Sequence, residues 1–216
     1  MSAIRLSCAV LLAALVLSAC GRPLAEGERA LAHDVFGASL ELGDIRVAAG
    51  FGLAAPPAQT VPRPSQRIHR PGACARDAPD PRSGPPPAFA TYQTVHVTRR
   101  FYAPDMALGW PAAAPLPEAL ILVHELGHVW QWQNRARTRY APLRAALESL
   151  FNTDPYFYDP ADDKSFLEYS FEQQAALIED YLCYALVDAD APRRAELRAI
   201  LAPHFPIARL DAALGQ

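Results

Sequence analysis

His124, Glu125 and His128 lie in the run Val123-His124-Glu125-Leu126-Gly127-His128-Val129. In a helix, residues four apart share a face, so His124 and His128 can aim an imidazole nitrogen at one ion. Neutral imidazole suits zinc, with bonds of about 2.0–2.1 Å. Glu125 sits one position along, where its carboxylate reaches a metal-bound water and not the metal. There it can accept the water's proton and pass it to a leaving group. The pattern arises by chance in about one such chain in a hundred. Burying two histidines and a glutamate without partners is costly, which counts against a plain buried helix. The spacing therefore predicts a hydrolytic zinc site with Glu125 as general base.

Such a site needs a third protein ligand and one open position. Residues 131 and 134 are Gln131 and Asn134, and both methionines, Met1 and Met106, precede the motif. The longer metzincin pattern, with a third histidine and a following methionine turn, is excluded. The expected source is a long downstream helix over Ser165–Asp188, with Ser165 as cap and Glu168 three residues on. Glu168, Glu172 and Glu179 would share one face of it. Helical rise separates Glu172 from Glu179 by about 10 Å, so they cannot both bind one ion. Glu172 is the expected ligand, because it sits mid-face and Ala175 lets two helices approach. Glu179 and Glu168 remain alternatives, or partners that orient a histidine.

The elements that must position these residues read as follows. Glu118–Asn134 is apolar nearly all round at its start and predicts a central buried helix. Further helices are expected over Glu26–Phe36, ending at Gly37, over Tyr140–Leu150 and over about Arg193–Leu201. Asp44–Val47 and Thr91–Thr98 read as strands. Leu53–Ala90 has almost no apolar periodicity and holds ten prolines between Pro56 and Pro87. It predicts a long proline-rich loop or insertion. Strands come early and helices late, so the class is α+β with a small sheet.

Composition narrows the function classes. The 216 residues carry a net charge of −3, with Lys164 as the sole lysine, and the one mild basic patch is the loop arginines. That excludes a broad electrostatic footprint for nucleic acid. Arg5 and the apolar run Leu6–Leu17 read as a signal peptide over residues 1–19. Leu17-Ser18-Ala19-Cys20 resembles the lipobox of bacterial lipoproteins. The resemblance implies acylation of Cys20, and Gly21 after it implies an outer-membrane lipoprotein facing the periplasm. Residues 20–216 would then form one domain, with Cys74 and Cys183 as its remaining thiols. An oxidising periplasm lets them pair, and two free thiols are the alternative.

His124-Glu125-Leu126-Gly127-His128 followed by Glu172-Gln173-Gln174-Ala175 resembles the gluzincin arrangement, H-E-x-x-H on one helix and E-x-x-A on the next. Ala30–Gly37, the strand around Val95, Leu122–Gln133 and Phe171–Tyr181 further resemble a bacterial family labelled Vgr-related proteins. That family is akin to zinc-peptidase domains of polymorphic toxins. The likeness spans most of the mature chain and fails in the proline-rich insertion. It implies a zincin-like α+β domain, a small mixed sheet packed on the H-E-x-x-H helix with a helical C-terminal half. It also implies a zinc metallopeptidase acting on a peptide or protein substrate, which the strand Thr91–Thr98 would bind by edge pairing. Ala176 stands where thermolysin-like enzymes place an aspartate. Candidates to steady an oxyanion are His204, Tyr181, Tyr184, Tyr156 and Tyr158, whereas His96 reads as an ordinary exposed or packed residue and not a ligand. A non-catalytic binding lipoprotein and a hydrolase of cell-wall peptide stems are the rival classes.

Overall fold

The computed structural model describes residues 21–52, 70, 72–80, 85–159 and 162–216. The expected signal peptide, Cys20 and most of the proline-rich insertion lie outside them. Along the chain the elements are β1 (Arg22–Pro23), α1 (Glu26–Phe36), β2 (Arg46–Ala49), β3 (Ala88–Thr91), β4 (Thr94–Val97), α2 (Glu118–Gln133), α3 (Arg135–Thr138), α4 (Pro142–Phe151), α5 (Phe171–Val187), α6 (Pro192–Leu201) and α7 (Ile207–Ala213). The class is mixed α+β, with one four-stranded sheet and seven helices among the described residues.

The sheet has the order β1-β2-β4-β3, with β2 parallel to β4 and both outer pairs antiparallel. Alternation along β4 turns Val95 and Val97 inward, where both are fully buried. Val47, opposite Val95, is buried beside them. This apolar face packs on α2, whose residues from Ile121 to Gln131 are all buried. The first strand is pinned as well as paired. Arg22 donates to both carboxylate oxygens of fully buried Glu28 at 2.6 Å, and Glu28 also accepts from the amides of Ala25 and Met106.

Thr91–Thr98 is not one strand. Tyr92 takes a positive φ of 55°, the chain turns at Tyr92–Gln93, and residues 88–97 form a hairpin. The β-branched residues carry the strand signal on both sides of the turn, which hides the break. One edge of the sheet is consequently β3, in a stretch expected to be loop. The second strand also starts two residues later than expected, at Arg46.

The long downstream helix starts at Phe171 and not at Ser165. Ser165 and Glu168 do form a reciprocal cap, but it serves a single 3-10 turn over Phe166–Glu168. Tyr169 then turns extended, with ψ of 154°. Ser170 caps α5 by accepting from the Gln173 amide, and the Gln173 side chain accepts from the Ser170 amide. Two cap signals follow one another in the sequence, and only the second opens the long helix. Glu168 is therefore off the expected face and does not reach His124 or His128.

α2 and α5 pack side by side. A Cβ built on Gly127 would lie 3.4 Å from both Cα and Cβ of Ala175, and 3.6 Å from Ile178 Cδ1. The helices thus approach closely enough to leave room for little more than a methyl group at position 127. Elsewhere, Cys74 and Cys183 form a disulfide across 109 residues of sequence. Loops of that length give on the order of 4–5 kcal/mol of stabilisation in the chain-entropy model. No helix among the described residues is long and apolar enough to cross a membrane.

Gly127→Ala should change the unfolding midpoint little, since the new methyl fits at contact distance and alanine favours the helix by about 1 kcal/mol. Ala175→Leu should destabilise by about 1–3 kcal/mol through overpacking. Denaturant unfolding of the two variants beside the wild type measures both.

Candidate metal centre

Neighbouring turns of α2 deliver His124 and His128, and the first turn of α5 delivers Glu172. All three are nearly buried, at 7%, 5% and 9% exposure. Glu172 Oε2 lies 3.3 Å from His124 Nε2 and 3.2 Å from His128 Nε2. One ligand atom from each residue lies within 4.8 Å of the others. Tetrahedral ligands about 2.0–2.1 Å from an ion sit about 3.3–3.4 Å from one another. The carboxylate-to-imidazole spacings match that edge length.

Hydrogen bonding on the far side of each ring decides what these atoms can do. His124 Nδ1 faces Glu179 Oε2 at 2.9 Å, and an ionised carboxylate only accepts, so Nδ1 carries the hydrogen. His128 Nδ1 faces Gln131 Oε1 at 2.9 Å. The orientation of that amide is set by its other end, which donates to Phe171 O at 2.9 Å and to Gln174 Oε1 at 3.0 Å. Gln174 in turn donates to Tyr169 O at 2.8 Å. His128 Nδ1 must therefore also donate. In neutral imidazole that leaves both Nε2 atoms as lone pairs, each aimed at a carboxylate oxygen. Three electron-pair donors cannot converge in a buried space without positive charge between them. Ser149 Oγ holds the other oxygen, Glu172 Oε1, at 2.9 Å.

In the metal-free chain, protons supply the positive charge. Burial opposes charging His124, but its hydrogen bonds to Glu172 and Glu179 outweigh it and push its pKa up to about 10. His128 is raised too, its burial outweighed by the Glu172 charge. Glu172, although buried, is held well below the usual carboxylate range by the two imidazoles. Burial pushes Glu125 up to about 7, against the pull of both histidines. Glu125 Oε2 is buried and has no hydrogen-bond partner. A buried acceptor left unmade is unfavourable by about 1–3 kcal/mol, so it marks a place where a polar ligand belongs.

The site opens on a cleft of about 580 Å³. The edge strand β3 forms one wall and α4 the other, with Glu125, His128 and Glu172 on the floor. Tyr140 and Tyr156 flank the pair of rings, at 5.9 Å from His128 and 5.4 Å from His124. Tyr156 was an expected oxyanion candidate, and it lines the cleft. The others point elsewhere. Tyr158 donates to Asp180 and Tyr181 to Asp211, both at 2.6 Å. His204 bonds Arg137, and Tyr184 does not line the cleft. His96 is packed, with hydrogen bonds to Thr91 and Gly50 O and a stack on Phe89.

Gln131, Gln174, Ser149 and Tyr140 were not legible as site residues. Gln131 offered one signal, its place three residues after His128 on the same face of α2. The run Glu172-Gln173-Gln174-Ala175 divides its labour: contact with both histidines, helix cap, lock on Gln131, and room for Gly127.

No protein-family model matches the chain, and no curated protein does. The chain is similar to a solved structure, the effector domain of Pseudomonas aeruginosa VgrG2b. The match has a TM-score of 0.49 and 22% identity, and covers 94% of this chain and 99% of that one.

Because raised histidine pKa values mean bound protons at neutral pH, a divalent metal must displace them. Zinc binding should release protons, and apparent affinity should keep rising with pH up to about pH 10, where His124 loses its proton. Titration calorimetry in buffers of different ionisation enthalpy measures the release. A heat independent of buffer would contradict the assignment.

Proposed function

We propose that this chain is a zinc-dependent peptide-bond hydrolase, held on the bacterial envelope by lipid on Cys20. The observation that carries the reading is Glu125 Oε2, a buried acceptor without a partner beside three converging donor atoms. A structural site needs the three donors. It does not need a fourth, unpaired carboxylate.

His124, His128 and Glu172 would hold zinc and leave one position open to the cleft, as catalytic sites do. Zinc there would polarise a substrate carbonyl and lower the pKa of bound water. Glu125 accepts the proton of the attacking water on Oε2 and delivers it to the departing amide nitrogen. In the metal-free chain burial raises its pKa to about 7, a range in which a carboxyl can both take and give a proton. Glu179 and Gln131 hold the two rings in the tautomer that keeps Nε2 free. β3, the sheet's edge along the cleft, can add an extended peptide as a further strand. Tyr156 and Tyr140 are placed to donate to the developing oxyanion.

Apart from Glu125, His128 and Glu172, the residues lining the cleft are uncharged. That favours a protein segment over the acidic peptide stems of the cell wall, whose carboxylates would find no cation there.

The wild type should carry one zinc per chain, and Glu172→Ala should bind it clearly more weakly. Glu125→Gln should retain zinc and lose about 10²–10⁴-fold in cleavage of unfolded protein. Metal analysis of all three, with an assay on unfolded protein beside purified cell-wall sacculi, tests the reading. Full activity in Glu125→Gln would remove the general base.

A further inference from the structure

His124 is oriented by a chain of contacts that leaves α5 and ends in the proline-rich region. His124 Nδ1 donates to Glu179. Arg76 Nη2 lies 3.6 Å from that same oxygen, Glu179 Oε2, and Arg76 Nε binds Asp180 at 2.9 Å and 3.2 Å. Asp180 is further held by Tyr158. Glu179 and Asp180 are adjacent carboxylates, and Arg76 is the cation paired with both.

Arg76 does not belong to a helix or strand. Residues 72–80 lie on the surface as a strap, exposed except at buried Cys74 and half-buried Arg76. Behind Cys74, the strap is fixed to the end of α5 by Arg70 N to Val187 O at 2.7 Å and Gly72 N to Asp188 Oδ2 at 3.1 Å. Ahead of Arg76, its next bond is Asp80 N to Asp154. Between these anchors stand the disulfide and the ion pairs. Cys183 is one helical turn beyond Glu179 and Asp180, a rise of about 4.5–6 Å. Two residues of chain, from Cys74 to Arg76, reach at most about 7 Å. Bonding Cys74 to Cys183 therefore keeps Arg76 within reach of the two carboxylates.

We infer that Arg76 is a positioning residue for the metal centre and that the Cys74–Cys183 crosslink is the device that holds it there. The inference rests on the reading of His124, His128 and Glu172 as a metal site. Arg76 acts through Glu179: it fixes the carboxylate that fixes the His124 ring. A flexible arginine reaching from an untethered strap would lose side-chain and backbone freedom to do the same. The covalent link removes that loss, and it does so only where disulfides form, so full metal affinity belongs to the oxidised chain.

The test compares zinc dissociation constants, by competition with a chelator, for wild type, Arg76→Gln, Arg76→Lys, the double variant Cys74→Ser/Cys183→Ser, and the triple combination with Arg76→Gln. Loss of a partner that orients a ligand weakens metal binding by about 10–100-fold. Arg76→Gln and the cysteine pair should each fall in that range. The triple variant should lose no more than either, because both act on one contact. Arg76→Lys should recover part of the loss. A merely structural strap would lower the unfolding midpoint of the metal-free protein and leave the zinc constant alone.

Unchanged zinc affinity in Arg76→Gln overturns the inference while leaving the metal site standing. Arg76→Gln keeps the disulfide, so it decides the matter even if the cysteine variant fails to fold. Absence of zinc from the wild type overturns the metal reading first, and the inference with it.

Discussion

Three lone pairs pointing at one buried spot repel unless a cation stands among them, and much of the surrounding structure serves to keep them there. Gln131 and Glu179 accept from the far nitrogens of the two rings, which denies either ring the option of turning its hydrogen inward. Gln174 and the Tyr169 carbonyl fix Gln131 in turn. The close approach at Gly127 and Ala175 brings the carboxylate of one helix within 3.3 Å of the imidazoles of the other. A bulkier pair would hold the helices apart and dissolve the convergence. The site is thus a property of the α2–α5 interface and not of either helix.

The same interface explains how a mildly acidic chain manages its buried charge. Glu125, Glu172, Glu179 and Asp180 bring four carboxyl groups into one region, with Arg76 as the arginine paired among them. Isolated, such a cluster would be strongly unfavourable. Protonated histidines offset it in the metal-free chain, and a divalent ion would do so with fewer groups.

Parts of this arrangement were legible because their signals are local. The H-E-x-x-H spacing sets its own geometry on a helix, and the apolar run of Glu118–Gln133 gave the buried α2 almost to the residue. Glu172 could be singled out among three glutamates by its place in the middle of the face and by the small Ala175 three residues on. What was hidden depends on contacts distant in sequence. Tyr92 carries a strand-forming side chain yet sits in a turn, so composition merged two strands into one. Ser165 and Glu168 satisfy the rule for a helix start but cap only a short turn, and this misplaced Glu168. Gln131 and Gln174 are polar residues on buried faces, and only the helix pairing shows that they answer each other. α7 carries too short an apolar pattern to stand out from its surroundings.

If Cys20 is acylated as proposed, the pairing of Arg22, two residues on, with Val47 has a further meaning. A Cβ placed on Gly21 would already lie 3.0 Å from Arg46 Cβ, so the chain is held close to β2 from its first described residue. Acyl chains on Cys20 would leave the domain no flexible leash. An enzyme on a long leash searches a volume, whereas one seated at the bilayer searches a thin layer. Its reach would be little more than its own diameter, so its substrates would have to come to the membrane, as emerging, misfolded or membrane-bound chains do. Selectivity would then be set by place before any side chain in the cleft has been read.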